Sequence, residues 1–155
     1  MRRICLNFCR RRCVTFHTKS EEETVELGER LSREVLPRQG VVLLIGNLGA
    51  GKTTLAKGIT QGRGVAEAEE VSSPTFTLIH EYGDPARVYH IDLYRLDTEA
   101  EVATLGLEDL FDREALVLME WGERFPALWP KERTEIRLER LGDEERRIEV
   151  QILSE

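Results

Sequence analysis

The feature that most constrains the fold is a glycine-rich segment that joins an apolar strand pattern to a helix pattern. Residues 46–53 read Gly-Asn-Leu-Gly-Ala-Gly-Lys-Thr and fit the P-loop pattern G-x4-G-K-[ST]. The preceding residues 41–45 form a continuous apolar run, which is typical of a strand buried on both faces of a sheet. A helix pattern begins at Lys52 and ends at Gly62 or Gly64. This order of strand, turn and helix is the one that phosphate binding requires.

The P-loop predicts a site for ATP and Mg²⁺. Its glycines let the backbone turn so that consecutive N–H groups point at phosphate oxygens, and the new helix adds the positive end of its dipole. Lys52 is predicted to reach the β- and γ-phosphates, and the Thr53 hydroxyl to supply one ligand to Mg²⁺. The alternative is a purely structural strand-to-helix turn that contains Lys-Thr by chance and binds no phosphate. The residues predicted to contact the nucleotide are Asn47, Leu48, Gly49, Ala50, Gly51, Lys52, Thr53 and Thr54.

Two carboxylates are candidates for the metal and the hydrolytic chemistry. Glu120 ends a second buried-strand pattern over residues 115–119, and Mg²⁺ usually accepts only one or two protein carboxylates. We therefore predict that Glu120 is the second metal ligand. Asp92 closes a strand pattern over residues 87–92 and is predicted either to hold the metal through water or to orient the attacking water. The alternatives are an ordinary exposed acid for Glu120 and a helix cap or an ion pair with Arg95 for Asp92.

Other polar and aromatic residues are less informative by themselves. Residues 72–77 lie where a nucleotide-sensing switch would sit, although Ser-Ser-Pro-Thr alone indicates only a turn. His90 lies in an alternating strand pattern, which favours a packed core histidine over a base. Trp121 and Trp129 favour packing roles, and a Trp that follows a metal carboxylate also suits a gate.

The rest of the chain predicts a single α/β domain. Ser20 and Glu23 form a capping-box pattern that opens a helix stopped by Pro37. Apolar periodicity then predicts two strand pairs, over residues 75–82 with 87–92 and over residues 135–140 with 146–152. The predicted fold is a P-loop NTPase-type sandwich with a mixed parallel and antiparallel sheet and helices on both faces.

Charge is distributed unevenly along the 155 residues, whose net charge is −7. Residues 1–13 hold five arginines, all three cysteines and no acid, which leaves residues 14–155 with 17 basic and 29 acidic side chains, a net −12. A body of that charge repels phosphate backbones, which argues against a free-standing non-specific nucleic-acid binder. Any bound anion is therefore expected to be held by a local binding motif.

The first 13 residues are predicted to be a floppy basic extension, and residues 14–155 the working domain. A metal site formed by Cys5, Cys9, Cys13 and His17 is the weaker alternative, because structural zinc pairs usually have tighter spacing. The composition, 41% hydrophobic and 33% charged, is typical of a soluble globular protein. The longest apolar runs have strand length, so no membrane span is expected.

Several motifs follow one another in the same order as in a known protein family. The P-loop is followed by residues 73–78 (SPTFTL), residues 90–95 (HIDLYR) and the pair Glu120-Trp121. The chain resembles the TsaE (YjeE) family of bacterial P-loop ATPases over residues 16–150. The resemblance implies a cytoplasmic role in forming threonylcarbamoyladenosine next to the anticodon of tRNAs that read codons beginning with A. TsaE-like proteins join a TsaB–TsaD assembly in which TsaD transfers the group, and their ATP hydrolysis supports repeated turnover.

The resemblance also implies roles for single residues. Lys52 and Thr53 would serve phosphate and Mg²⁺, and Glu120 would be the second Mg²⁺ ligand. Asp92 falls in the family's catalytic or switch string. Thr75 falls in its switch-I-like segment and is also predicted to contact the nucleotide. The chain departs from the pattern at Asn47, where Asp is frequent, and at Gly122, where Pro is common, and neither change removes a ligand. Residues 1–13 have no counterpart.

The leading hypothesis is a partner-dependent ATPase that acts as a switch on TsaD-like and TsaB-like proteins and meets tRNA only through them. Its hydrolysis alone is expected to be slow, because no arginine finger is visible beside the P-loop. A small-molecule kinase and a non-hydrolysing nucleotide-binding module are the alternatives. A GTPase is disfavoured because the chain has no [NT]-K-x-D string. The adenine contacts, the partner surface and the oligomeric state stay open.

Overall fold

The computed structural model describes residues 3–5, 11–74 and 78–154. The strands are β1 (Arg3–Cys5), β2 (Arg11–Thr18), β3 (Gly40–Ile45), β4 (Ile79–Gly83), β5 (Ala86–Asp92), β6 (Leu116–Glu120), β7 (Arg133–Arg140) and β8 (Arg146–Leu153). The helices are α1 (Glu21–Glu34), α2 (Lys52–Gly62), α3 (Glu99–Ala103) and α4 (Glu108–Phe111). Short 3-10 helices cover Ala68–Glu70, Gly122–Arg124 and Pro126–Leu128.

Within the described residues the strands form one sheet of eight in the order β1-β2-β8-β7-β3-β6-β5-β4. The four central strands β7, β3, β6 and β5 are mutually parallel. Antiparallel strands flank them, with β4 on one side and β8, β2 and β1 on the other. The predicted mixed sheet is confirmed. Because β3, β5 and β6 run in one direction, their carboxyl ends meet at one edge.

Both faces of the sheet are covered by helices, as predicted. Alternate residues of β3 point to opposite cores: Val42 and Leu44 pack with helices α1 and α2, and Val41 and Leu43 pack with the segments around α3 and α4. All four are at most 2% exposed. Two apolar faces explain why β3 appears in the sequence as an unbroken apolar run rather than an alternating one.

Helices α1 and α2 lie close because glycine occupies their contact. A Cβ built on Gly58 of α2 would lie 2.0 Å from the backbone oxygen of Val25 in α1. Real Cβ atoms do not approach an oxygen so closely, so the two backbones fit together only without a side chain at this position. The contact fixes α2, which begins at the P-loop lysine.

The start of α1 differs slightly from the predicted capping box. The Ser20 hydroxyl accepts a hydrogen bond from the Glu23 N–H at 3.1 Å, as the pattern predicts. The Glu23 carboxylate, however, accepts from the N–H of Lys19 at 2.6 Å, one residue before the cap. At its other end the helix stops at Glu34, ahead of Pro37.

Two predicted boundaries shift. Strand β4 begins at Ile79, whereas the sequence predicted a strand from residue 75; residues 75–77 lie outside the described residues. Strand β2 begins at Arg11 and pairs with β8 from Leu153 onward. Strand β8 is long enough to pair with Arg11, Arg12 and Cys13, the three residues that precede the predicted domain start. The predicted boundary after residue 13 therefore falls inside a strand.

Of the remaining predicted extension, Arg3–Cys5 forms β1 along the edge of β2. Residues 1–2 and 6–10, with Cys9 of the weaker metal alternative, lie outside the described residues. None of the helices in the described parts of the chain has the length and apolar character needed to cross a membrane.

We predict that Gly58→Ala destabilises the protein by about 2 kcal/mol, because overpacking at a tight contact typically costs 1–3 kcal/mol. Thermal unfolding measures this. Helix propensity acts in the opposite direction, because Ala is more favourable than Gly within a helix by about 1 kcal/mol. A lower melting temperature therefore shows that the tight packing outweighs the propensity. An unchanged or raised melting temperature would show that the two helices are free to separate.

Candidate functional site

The loop between β3 and α2 has the backbone shape of a phosphate cradle. Gly51 is the residue that caps α2, and its φ of 100° lies in the left-handed region, which favours glycine. A Cβ at this position would also approach the Arg146 Nε at 3.4 Å. The loop turns directly into the helix, so the first N–H groups of α2 face the same space.

The amino end of α2 is open to an anion. The first N–H groups of a helix have no acceptor within the helix, and at α2 neither a side-chain cap nor an acidic residue in the first turn serves them. Helix α1 is the contrast, since Ser20 caps it and Glu21, Glu22 and Glu23 fill its first turn. The positive end of the α2 dipole therefore adds to the charge of Lys52.

Lys52 is held at the mouth of this cradle. It is only 5% exposed, and its Nζ donates to the Gly46 carbonyl at 2.7 Å. The same Nζ lies 3.5 Å from the centroid of the Trp121 ring, within the range of a cation–π contact. Burial lowers the pKa of Lys52, and the nearby carboxylates of Glu120, Glu123 and Asp92 partly oppose this shift.

The two predicted carboxylates lie side by side opposite the lysine. Asp92 and Glu120 are register partners at the ends of β5 and β6, and each is 4% exposed. The Thr53 hydroxyl lies 3.3 and 3.4 Å from the two carboxylate oxygens of Glu120. The structure thus brings the predicted metal ligands Thr53 and Glu120 together, with Asp92 beside them.

Neighbouring groups fix the orientation of both carboxylates. The Nε2 of His90, which is fully buried, lies 2.6 Å from Glu120 Oε2. Asp92 accepts hydrogen bonds from the Tyr94 N–H at 2.9 Å and from the Ser73 hydroxyl at 3.2 Å. Buried carboxylates need such partners, and both carboxylates still line the cavity next to the P-loop.

A cavity of about 470 Å³ lies between the P-loop and the carboxylates. A nucleotide with Mg²⁺ fits this donor set, because Mg²⁺ prefers oxygen ligands and usually combines one or two carboxylates with phosphates and water. Among the residues described, no group of three His, Cys, Asp or Glu side chains forms a separate metal cage. The residues on the cavity wall are Glu21, Leu48, Gly49, Gly51, Lys52, Thr53, Thr54, Ser73, Asp92, Tyr94, Glu120, Trp121 and Arg146.

Not every predicted contact residue lies on this wall. Asn47 and Ala50 face a separate recess of about 340 Å³ against Leu138 and Arg140 of β7. The backbone of Asn47 and Ala50 still belongs to the P-loop turn. Their place in a separate recess therefore concerns their side chains more than their backbone amides. Thr75 lies outside the described residues.

Sequence reasoning missed the role of His90. The prediction of a buried core position is right, yet the imidazole contacts the carboxylate of Glu120. A signal was available: His90 and Asp92 are two residues apart in one strand and therefore share a face of the sheet, and Asp92 is opposite Glu120. Two polar residues on one face of a buried strand indicate that a polar side chain of a neighbouring strand lies close to them.

Sequence reasoning also missed an arginine beside the P-loop. Arg146 Nη2 donates to the Gly49 carbonyl at 3.2 Å, and its Nη1 donates to the carbonyls of Gly142, Asp143 and Glu145. Arg146 begins β8, far from the P-loop in sequence, and no local pattern places it there.

Trp121 has a backbone φ of 67°, unusual for a large side chain. Its ring lies 5.1 Å from that of Tyr94. Together with the Lys52 contact, this places two aromatic side chains beside the carboxylates on the cavity wall.

Comparisons with known proteins agree on one family. The model of the family described as "Threonylcarbamoyl adenosine biosynthesis protein TsaE" matches residues 18–148. A TsaE protein of Bacillus subtilis is 40% identical over 136 residues, which cover 87% of this chain and 83% of that protein. A TsaE protein of Treponema pallidum is 36% identical over 139 residues, which cover 90% and 98%. The crystal structure of Bacillus subtilis YdiB superposes with a TM-score of 0.72 at 32% identity, over 92% of this chain and 86% of that one.

We predict that His90→Phe raises the Mg²⁺ concentration needed for tight nucleotide binding roughly tenfold, as expected when a group that orients a metal ligand is lost. Titration calorimetry with ADP at varied Mg²⁺ measures this. His90→Gln keeps an N–H donor and is expected to recover part of the affinity. His80→Phe, on the neighbouring strand β4, is the matched control. A similar loss in both Phe variants, or none in either, contradicts the role of His90.

Proposed function

The chain belongs to the TsaE family of tRNA threonylcarbamoyladenosine biosynthesis proteins, and from this we propose that it is the ATP-binding and ATP-hydrolysing subunit of that pathway. In this proposal it does not attach the threonylcarbamoyl group. It acts in the cytoplasm as a nucleotide-dependent switch on a complex of TsaD-like and TsaB-like proteins.

One observation carries the proposal: the Thr53 hydroxyl and the Glu120 carboxylate meet within 3.4 Å at the floor of the P-loop cavity. A hydroxyl from the first turn of the P-loop helix and a carboxylate from a neighbouring strand are the two protein groups that a nucleotide-bound Mg²⁺ requires. The metal would neutralise developing charge on the phosphates. A phosphate cradle without this pair would favour mere nucleotide binding.

Each residue then has a task of its own. The P-loop amides and Lys52 bind the phosphates, and Thr53 and Glu120 hold the cation. Asp92 lies beside Glu120 and orients the attacking water. Its position depends on Ser73, whose hydroxyl donates to Asp92 Oδ2.

That hydrogen bond links hydrolysis to a switch. Ser73 belongs to the segment that the sequence predicts to sense the nucleotide, and movement of this segment would withdraw a donor from Asp92. Segments ordered by a nucleotide and released after hydrolysis are a common form of molecular switch. A change of nucleotide would thus be relayed to the surface that partners contact.

Partners are needed for two reasons. The net charge of −7 opposes tight direct binding to tRNA, so stable binding of tRNA is achieved through the complex. Hydrolysis by the subunit alone is slow, because Arg146 already donates four hydrogen bonds to backbone carbonyls and is not a free arginine finger. A partner that supplies a cation or orders the switch segment accelerates the reaction.

We predict that Glu120→Gln lowers ATP hydrolysis by at least about 100-fold, because metal-assisted charge stabilisation is worth several kcal/mol. Nucleotide binding remains, since the P-loop amides are intact. Phosphate release and calorimetry measure the two effects. Glu123→Gln, three residues along the chain, is the matched control. An unchanged ATPase rate in Glu120→Gln would indicate a module that binds nucleotide without hydrolysing it.

We predict that TsaD-like and TsaB-like proteins together raise the turnover of ATP at least about tenfold, in line with the strong dependence of P-loop enzymes on groups supplied in trans. Steady-state phosphate release with and without the partners measures this. Lys52→Ala is the control and is expected to remove the stimulated rate. Equal turnover with and without partners would exclude the switch, and transfer of phosphate to a small acceptor would indicate a kinase.

A further inference from the structure

A second polar concavity lies at the opposite edge of the sheet from the P-loop. Arg38 precedes β3, Arg63 follows α2, and Arg87 is the second residue of β5. All three therefore lie where the parallel strands begin, whereas the nucleotide cavity lies where they end. They line a cavity of about 550 Å³ together with Gln39, Gly62 and Glu114, and none of these residues lines the nucleotide cavity.

The arginines of this cavity lack carboxylate partners. The side chains of Arg38 and Arg87 are exposed, and within residues 11–74 and 78–154 neither makes an ion pair or a hydrogen bond. Arg63 is half-buried, and it donates to neutral groups only: the Ser32 hydroxyl at 2.9 Å and the carbonyls of Leu36 and Pro37. Glu114 is the one acid on this wall.

This local excess of positive charge runs against the composition. The protein has 29 acidic side chains for 22 basic ones, so acids are not scarce. Six arginines elsewhere in the described chain do pair with carboxylates: Arg30, Arg33, Arg133, Arg137, Arg140 and Arg147. Three guanidinium groups around one carboxylate are therefore a feature of this cavity.

The three charges also act on one another. Burial lowers the pKa of Arg63, and the neighbouring Arg38 and Arg87 lower it further. Like charges in a concave wall raise the local electrostatic potential and attract a counter-ion. An anion that binds between them would relieve their repulsion.

The chemistry of the arginines suits an oxyanion such as phosphate. Guanidinium groups present several N–H donors in a plane and match phosphate oxygens in a bidentate manner. Arg63 is fixed by its three hydrogen bonds, and its Nη1 makes none within the described residues, so this nitrogen can donate to a bound anion from a fixed position. The side chains of Arg38 and Arg87 are exposed and can reorient towards the same anion.

We propose that Arg38, Arg63 and Arg87 form a second anion site, which binds a phosphate group. The phosphate is carried either by a small free anion or by an RNA backbone. The site is independent of the P-loop and of the proposed ATPase, and it lies at the other edge of the sheet.

Residue-resolved NMR with inorganic phosphate, at constant ionic strength, tests the site. The backbone amides of Gln39 and Gly62 are expected to shift saturably, separately from any shift at the P-loop. The double variant Arg38→Gln, Arg87→Gln removes two unpaired exposed side chains and is expected to stay folded while binding phosphate roughly tenfold more weakly. Arg140→Gln, Arg147→Gln is the control with the same change of net charge. No saturable shift at Gln39 and Gly62, or equal weakening in the control, overturns the proposal.

Glu114→Gln gives a test in the opposite direction. It removes the one carboxylate from the wall, so phosphate binding is expected to tighten severalfold. Arginines that only cap the ends of α1 and α2 would give no such gain. Unchanged or weaker binding in this variant therefore counts against the site.

The source of the phosphate is identified with tRNA at low salt. If the Arg38→Gln, Arg87→Gln variant also binds tRNA more weakly than the Arg140→Gln, Arg147→Gln control, the ligand is an RNA backbone. If the tRNA affinities of these variants are equal while the phosphate shifts differ, the ligand is a small anion. If inorganic phosphate causes no saturable shift at Gln39 and Gly62 in the parent protein, both the RNA backbone and the small anion are refuted as ligands of this site.

Discussion

The parallel register of three strands is the constraint on which the rest of the structure depends. β3, β6 and β5 are aligned so that Leu44, Glu120 and Asp92 lie in one row across the sheet. The P-loop follows directly after that row on β3, and so the carboxylates and the phosphate cradle meet without any long side chain having to bridge them. A slip of one residue in β6 would turn Glu120 to the other face. The two apolar cores on either side of the sheet oppose such a slip, because every residue of β6 is buried.

The same alignment places a polar network between two apolar layers. Thr53, His90 and Glu120 are linked by polar contacts of 2.6 to 3.4 Å, whereas Nδ1 of His90 and Oε2 of Glu123 are buried without a hydrogen-bond partner in the described chain. The contact with His90 holds the carboxylate of Glu120 in one orientation within this network.

What could be predicted from the sequence depended on how local the signal was. The β3 strand, the start of α2 and the end of β6 at Glu120 were predicted because a continuous apolar run, a glycine-rich turn and a strand-terminal acid are each visible within ten residues. The mixed sheet followed from the alternation of strand and helix patterns. The contact of Arg146 with Gly49 could not be predicted, because it depends on which strands are neighbours, and strand order is not encoded in any local period. The contact of His90 with Glu120 had only a partial signal, the spacing of His90 and Asp92, because naming its partner required knowing that β5 and β6 are neighbours. The start of β2 was missed for a similar reason: Arg11–Cys13 become a strand only because β8 extends beside them.

Arg146 has a further consequence for how the nucleotide site works. Its guanidinium ties the turn at Gly142–Glu145 to the P-loop carbonyl of Gly49, so the loop is braced by a segment far along the chain. A loop that is ordered in advance spends little conformational entropy on binding. A braced cradle needs little rearrangement to capture an anion. The rate of the encounter is then set by diffusion and by the local field of Lys52 and the helix.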